Sequence, residues 1–85
     1  MNSDHKIENS QFPLSQLKKG QNAKILRVSG SGPIKRRMMD MGMVPGSEIK
    51  LIRKAPFGDP IEFRIKGYSL SLRKEEAETI LIELI

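Results

Sequence analysis

Glycine and proline interrupt this 85-residue chain at Gly20, Gly30, Gly32-Pro33, Gly42, Pro45-Gly46, Pro56, Gly58, Pro60 and Gly67. The runs between them, residues 21–29, 34–41, 47–55 and 61–66, each have room for one strand or about two helical turns. Such a chain must be built from short elements and tight turns. At this length it has apolar side chains for a single core.

The apolar spacing assigns the elements. Ala23, Ile25, Leu26 and Val28 lie in a β-branched run from Gln21 to Ser29, the first expected strand. Pro33 suits a first helical position, and Ile34, Met38 and Met41 follow at i, i+4 and i+7, so an amphipathic helix is expected from Pro33 to Met41 with Gly42 as its stop. Pro45-Gly46 reads as a tight turn leading into a strand from Ser47 to Lys54. Ile61, Phe63 and Ile65 alternate with Glu62, Arg64 and Lys66, and Gly67 turns this strand back into Tyr68 to Leu72 as a hairpin. Arg73 to Ala77 suits one helical turn, and Ile80, Ile82 and Leu84 mark a last strand. Phe12, Leu14 and Leu17 read as a short apolar turn or helix plugging one end of the fold. Short strands at close spacing, with one inserted helix, predict a mainly β architecture: a small five-stranded SH3-like barrel, closed to limit exposed edges. Residues 1–11 are polar and read as a flexible tail, with the domain spanning 12–85.

No stretch approaches the ~18 apolar residues of a membrane span, and Met1 to Ser10 lacks the basic and apolar regions of a signal peptide. Zero cysteines fit a reducing compartment, so a cytoplasmic location without direct membrane insertion is expected. The net charge of +5 is uneven: Leu14 to Lys54 has ten Lys or Arg against two acids, whereas Ala55 to Ile85 has four against six. The basic half favours an anionic partner, be it an acidic protein face, a nucleic acid or a lipid surface.

The inventory for catalysis is poor. The one histidine is His5 in the polar tail, no thiol exists, and the serines have no partner base. Glu75, Glu76 and Glu78 read as a solvated, capping turn rather than catalytic carboxylates. Gly30-Ser31-Gly32 lacks the spacing of a nucleotide-binding loop. The chain is therefore expected not to be an enzyme. Met38, Met39, Met41 and Met43 crowd together; Met38 and Met41 share the face of Ile34 and are expected in the core, while Met39 and Met43 read as an exposed, adaptable contact pair beside Lys35 and Arg36. Thioethers favour copper(I) over iron(II), so no metal site is assigned and no firm cofactor is expected, with weak divalent transition-metal binding left open. The cations Lys18, Lys19, Lys24, Arg27, Lys35, Arg36, Arg37, Arg53 and Lys54 leave RNA binding as an alternative, although only Phe57 and Tyr68 could act as stacking platforms.

The order of the motifs resembles the FeoA family over about Leu14 to Leu84. Leu14, Leu17 and Gly20 are similar to its opening L-x-x-L-x-x-G. Arg37-Met38, Met41-Gly42-Met43 and Pro45-Gly46 resemble its R-L-x-x-M-G-hydrophobic-x-P-G segment, with Met38 in place of the commoner leucine. Ala55-Pro56-Phe57-Gly58-Asp59-Pro60-Ile61 resembles the A-P-L-G-D-P-I loop, and Leu72-Arg73, Glu76-Ala77 and Ile80 resemble the closing L-R-x-x-E-A-x-x-I. The resemblance implies an SH3-like barrel and a small cytoplasmic accessory protein of ferrous iron uptake, acting by contact on a membrane permease with a GTP-binding cytoplasmic part. Related domains occur on metal-dependent repressors, so a transition-metal-sensing module is a further alternative; no winged-helix region is read in these 85 residues, so DNA is not an expected partner. The expected partner-binding residues are Lys35, Arg36, Arg37, Met39, Met43 and Phe57, with Arg37 alternatively pinning the helix to the barrel.

Overall fold

The computed structural model describes residues 11–85. Six strands form one antiparallel sheet in the order β1-β6-β2-β3-β4-β5: β1 (Gln11–Pro13), β2 (Asn22–Val28), β3 (Glu48–Lys54), β4 (Ile61–Ile65), β5 (Tyr68–Leu72) and β6 (Ile80–Leu84). A 3-10 turn, Leu14–Gln16, follows β1; helix α1 (Gly32–Asp40) joins β2 to β3, and the one-turn helix α2 (Lys74–Ala77) joins β5 to β6.

The alternation decides which faces are buried. Ile61, Phe63 and Ile65 of β4 are buried, as are Ile49 and Leu51 of β3 and Ile80 and Ile82 of β6. These side chains meet in one cluster on the concave face of the sheet. Two register shifts bend it, one between Ile25 and Arg27 on β2 and one between Leu51 and Arg53 on β3. Each inserts an unpaired residue, Leu26 or Ile52, and kinks its strand so that a small sheet can wrap a core. The phase break is visible in β2 itself, where Ala23 and Ile25 are buried and the next buried residue is Val28 rather than Arg27.

The sequence reading places five strands, and the structure adds a sixth. Gln11, Phe12 and Pro13 pair with Glu83, Ile82 and Leu81, so Gln11 belongs to the sheet, and the rest of the expected tail lies outside the described residues. Three residues containing a proline carry no period-two signal; they are a strand because they lie along the free edge of β6. The apolar plug follows directly, with Leu14 and Leu17 fully buried. The β1 and β5 edges do not pair with each other, so the sheet is open in its hydrogen bonding.

Turn chemistry matches its residues. Ser47 N–H donates to Val44 C=O at 3.0 Å across Pro45-Gly46, with Gly46 at φ 93°. The β4–β5 hairpin turns on Lys66 (φ 47°) and Gly67 (φ 86°), two consecutive left-handed residues whose twist suits a two-residue hairpin loop.

Candidate functional site

Helix α1 ends in a cap that rearranges the expected methionine pattern. Gly42 adopts φ 95°; its N–H donates to Met39 C=O at 3.0 Å, and Met43 N–H donates to Met38 C=O at 3.0 Å. This is the doubly bonded glycine cap in which the residue after the glycine folds back toward the last turn, bringing apolar side chains together. Met43 is accordingly buried in the core alongside Met38, and Met41 is half-buried. The expectation that Met43 belongs to an exposed contact pair is therefore corrected. It arose from reading helical periodicity past Gly42, where the helix no longer runs. The signal that identifies Met43 is Met38 followed by Gly42-Met43, apolar residues at both cap positions that meet.

Ile34 is also corrected. Expected on the core face, it is 40% exposed, because α1 leans on the sheet through its C-terminal end and Met38 is its one buried residue among the nine. The N-terminal turn stands away from the core.

The remaining exposed face of α1 collects Lys35, Arg36 and Met39, which with Gly32 and Asp40 line a shallow, open depression of about 390 Å³. Met39, 40% exposed, offers an apolar, conformationally adaptable side chain between two cations. Arg37 points elsewhere. Its guanidinium lies 2.8 Å from the carboxylate of Glu76, whose other oxygen accepts the Arg73 N–H at 2.9 Å. The pinning role thus describes its contact. Glu76 is buried rather than part of a solvated acidic turn, since its carboxylate occupies the start of α2, where free N–H groups need an acceptor. Glu75 and Glu78 stay exposed.

The Phe57 loop is built to hold its shape. Gly58 N–H donates to Ala55 C=O at 2.7 Å, and Ala55 N–H donates to Pro60 C=O at 3.0 Å, so Pro56 and Phe57 form the apex of a closed turn. Asp59 Oδ1 accepts the Lys74 N–H at 2.9 Å, fastening the loop to α2. Phe57 itself is 99% exposed. Two separate surface features therefore meet one element: α2 touches α1 through the largely exposed Arg37–Glu76 pair and the Phe57 loop through Asp59. The sequence reading did not single out Asp59 or Glu76 for this role.

Tyr68 donates a hydrogen bond from its hydroxyl to Met41 C=O, and a Cβ placed on Gly42 would meet that hydroxyl oxygen at 2.8 Å. Glycine is required at 42 both for its backbone conformation and for this close approach. Among the described residues no group of three or more His, Asp or Glu is placed to hold a metal ion, and His5 lies outside them. No helix of the described residues is long and apolar enough to cross a membrane.

A model of the FeoA domain matches residues 12–84. This chain belongs to the FeoA family. A curated FeoA relative, the Fe(2+) transport protein A/Fe(2+) transporter FeoB fusion protein of Porphyromonas gingivalis, is 44% identical over 72 residues, covering 85% of this chain and only 8% of that protein's length. Among solved structures, the FeoA-like protein of Clostridium acetobutylicum superposes with a TM-score of 0.82 at 42% identity, covering 89% of this chain and 88% of the other. FeoA of Stenotrophomonas maltophilia, solved with zinc and described as an SH3 domain protein, superposes with a TM-score of 0.75 at 26% identity, covering 85% and 89%. These FeoA structures agree with the SH3-like, mainly β fold expected from periodicity.

Proposed function

We propose that this chain is a non-enzymatic, cytoplasmic accessory domain that docks on a FeoB-type ferrous iron transporter and alters its assembly or GTP-linked gating. The observation that carries this reading is the relative in which an FeoA sequence 44% identical to this one is fused to FeoB. Fusion holds two modules at high effective concentration, an arrangement of use to domains that act on each other. The exposed surface supports the same reading. Lys35 and Arg36 supply charge for an acidic partner face, Met39 supplies adaptable apolar area, and Phe57 is an aromatic held at the apex of a closed turn that none of the described residues buries. Burying a phenylalanine side chain contributes roughly 1.5–3 kcal/mol, or about 10- to 150-fold in affinity.

The test is a titration of labelled protein with the transporter's cytoplasmic GTP-binding part, followed by amide chemical shifts. Shifts concentrated at Lys35 to Asp40 and Ala55 to Gly58, lost in Phe57→Ala, are the expected result. Unchanged spectra at high micromolar partner overturn this pairwise docking.

A further inference from the structure

β5 ends the sheet, with β4 on one side and, among the described residues, no strand on the other. The Lys66-Gly67 turn decides what that edge offers. In a two-residue hairpin the pair closing the turn, Ile65 with Tyr68, exchanges both N–H···O bonds, and the same pairing recurs at Phe63 with Leu70 and Ile61 with Leu72. The intervening residues, Ser69 and Ser71, therefore direct their N–H and C=O groups away from β4.

The two edges of the sheet are unlike. β1 is three residues long and ends in Pro13, both features that discourage further pairing. β5 carries no proline and no charge from Tyr68 to Leu72, and its register with β4 runs without a bulge. An edge of this kind is a template for one more strand.

Charge argues for what that strand is. Lys66 stands exposed at one end of β5 and Arg73 and Lys74 at the other, while Arg64 flanks Ser69 on β4. The acid beside Ser71, Glu62, is already paired with Arg53, and Asp59 accepts the Lys74 N–H, which leaves Glu75, among the described residues, as the neighbouring acid without a partner. A second copy paired antiparallel about Leu70 would bring Lys66, just before the strand, toward Lys74 of that copy, just after it, at both ends of the pairing, and like charges brought together there disfavour that arrangement. A strand with apolar or small residues at its centre and acids at its ends has the complementary charge. Tyr68, bonded to Met41, places this edge next to the end of α1.

We propose that the β5 edge accepts an extended, acid-flanked strand of the transporter partner, hydrogen-bonded to the main chain of Ser69 and Ser71 beside the α1 docking face. The proposal rests on the docking reading above and adds the mode of recognition. Amide hydrogen exchange of the intact chain, alone and with the transporter's cytoplasmic part, tests it. Ser69 and Ser71 amides are expected to exchange at least tenfold more slowly in the complex, and Ser71→Pro, which removes an outward donor without touching the β4 ladder, to weaken binding at least tenfold. Should Ser71→Pro not fold, Lys66→Asn removes a flanking charge at a left-handed position that asparagine accepts, and a severalfold loss of affinity is expected. Shifts on α1 with unchanged exchange at Ser69 and Ser71 overturn the edge and leave the docking reading standing; no change anywhere overturns both. Protection in the free protein at the lowest concentration means residues 1–10 occupy the edge, and protection that grows with concentration means a second copy does. Either result overturns the proposal.

Discussion

Phe63 and Phe57 sit on the same stretch of chain and meet opposite fates, one fully buried and the other almost fully exposed. Phe63 belongs to a strand in which Ile61, Phe63 and Ile65 point inward and Glu62 and Arg64 do not. Phe57 is held between Pro56 and Gly58 in a turn closed by its own backbone bonds and tied to α2 by Asp59. The same side chain is core in one setting and presented surface in the other, because backbone geometry decides whether a ring can reach the core. Helix α1 and its cap repeat the contrast within a few residues: Met38 and Met43 lie in the core while Met39 does not. Burial and exposure are thus assigned to neighbouring residues of the same type.

The comparison is sharpest at the phenylalanines. Phe63→Ala is expected to destabilise the fold by about 3–5 kcal/mol in urea unfolding, and Phe57→Ala by no more than about 0.5 kcal/mol. Equal effects would mean that Phe57 packs against its own molecule. Next come the methionines: Met43→Ala should cost about 2–5 kcal/mol against about 0.5 kcal/mol or less for Met39→Ala, whose effect should fall on partner affinity instead. A mild Met43→Ala would break the account of the glycine cap.

Gly42→Ala should cost about 1–3 kcal/mol, combining a left-handed backbone position with a Cβ 2.8 Å from the Tyr68 hydroxyl. In a Tyr68→Phe background the same substitution should cost less, because the obstructing oxygen is gone and only backbone strain remains. A double-mutant cycle showing no coupling would remove the steric part of the argument. The smallest effect is expected from Arg37→Ala, below about 1 kcal/mol, since its guanidinium is largely exposed and Glu76 keeps its bond to the Arg73 N–H. Glu76→Ala should cost more, because it also leaves that N–H without its acceptor.

Much of the fold is legible along the chain. The alternation of β4, the Pro45-Gly46 turn, the start of α1 to within one residue of Pro33 and its termination before Gly42 all follow from short-range physics acting within a few residues. Two elements do not. β1 has neither length nor alternation and exists because β6 offers it an edge, and Leu26 and Ile52 become bulges only once their neighbours have paired. In the candidate site, Lys35, Arg36, Met39 and Phe57 are exposed as charge and chemistry predict, and Glu76 caps its helical turn as expected; the structure departs from the reading in burying Met43 and the Glu76 carboxylate and in exposing Ile34. In each case a helical or compositional pattern was continued where a cap, a lean or a capping bond had replaced it.

By itself, then, the amino-acid sequence determined the short β elements, the single core, the turn positions and the family, because these depend on residue type and on spacings that span one element. Only the tertiary structure decided which methionines are buried, that Glu76 and Asp59 join α1 and the Phe57 loop to one helical turn, and that β5 ends the sheet with Ser69 and Ser71 facing outward. Those outcomes depend on which distant segments meet, and a contact between Arg37 and Glu76 or between Asp59 and Lys74 has no periodicity to betray it.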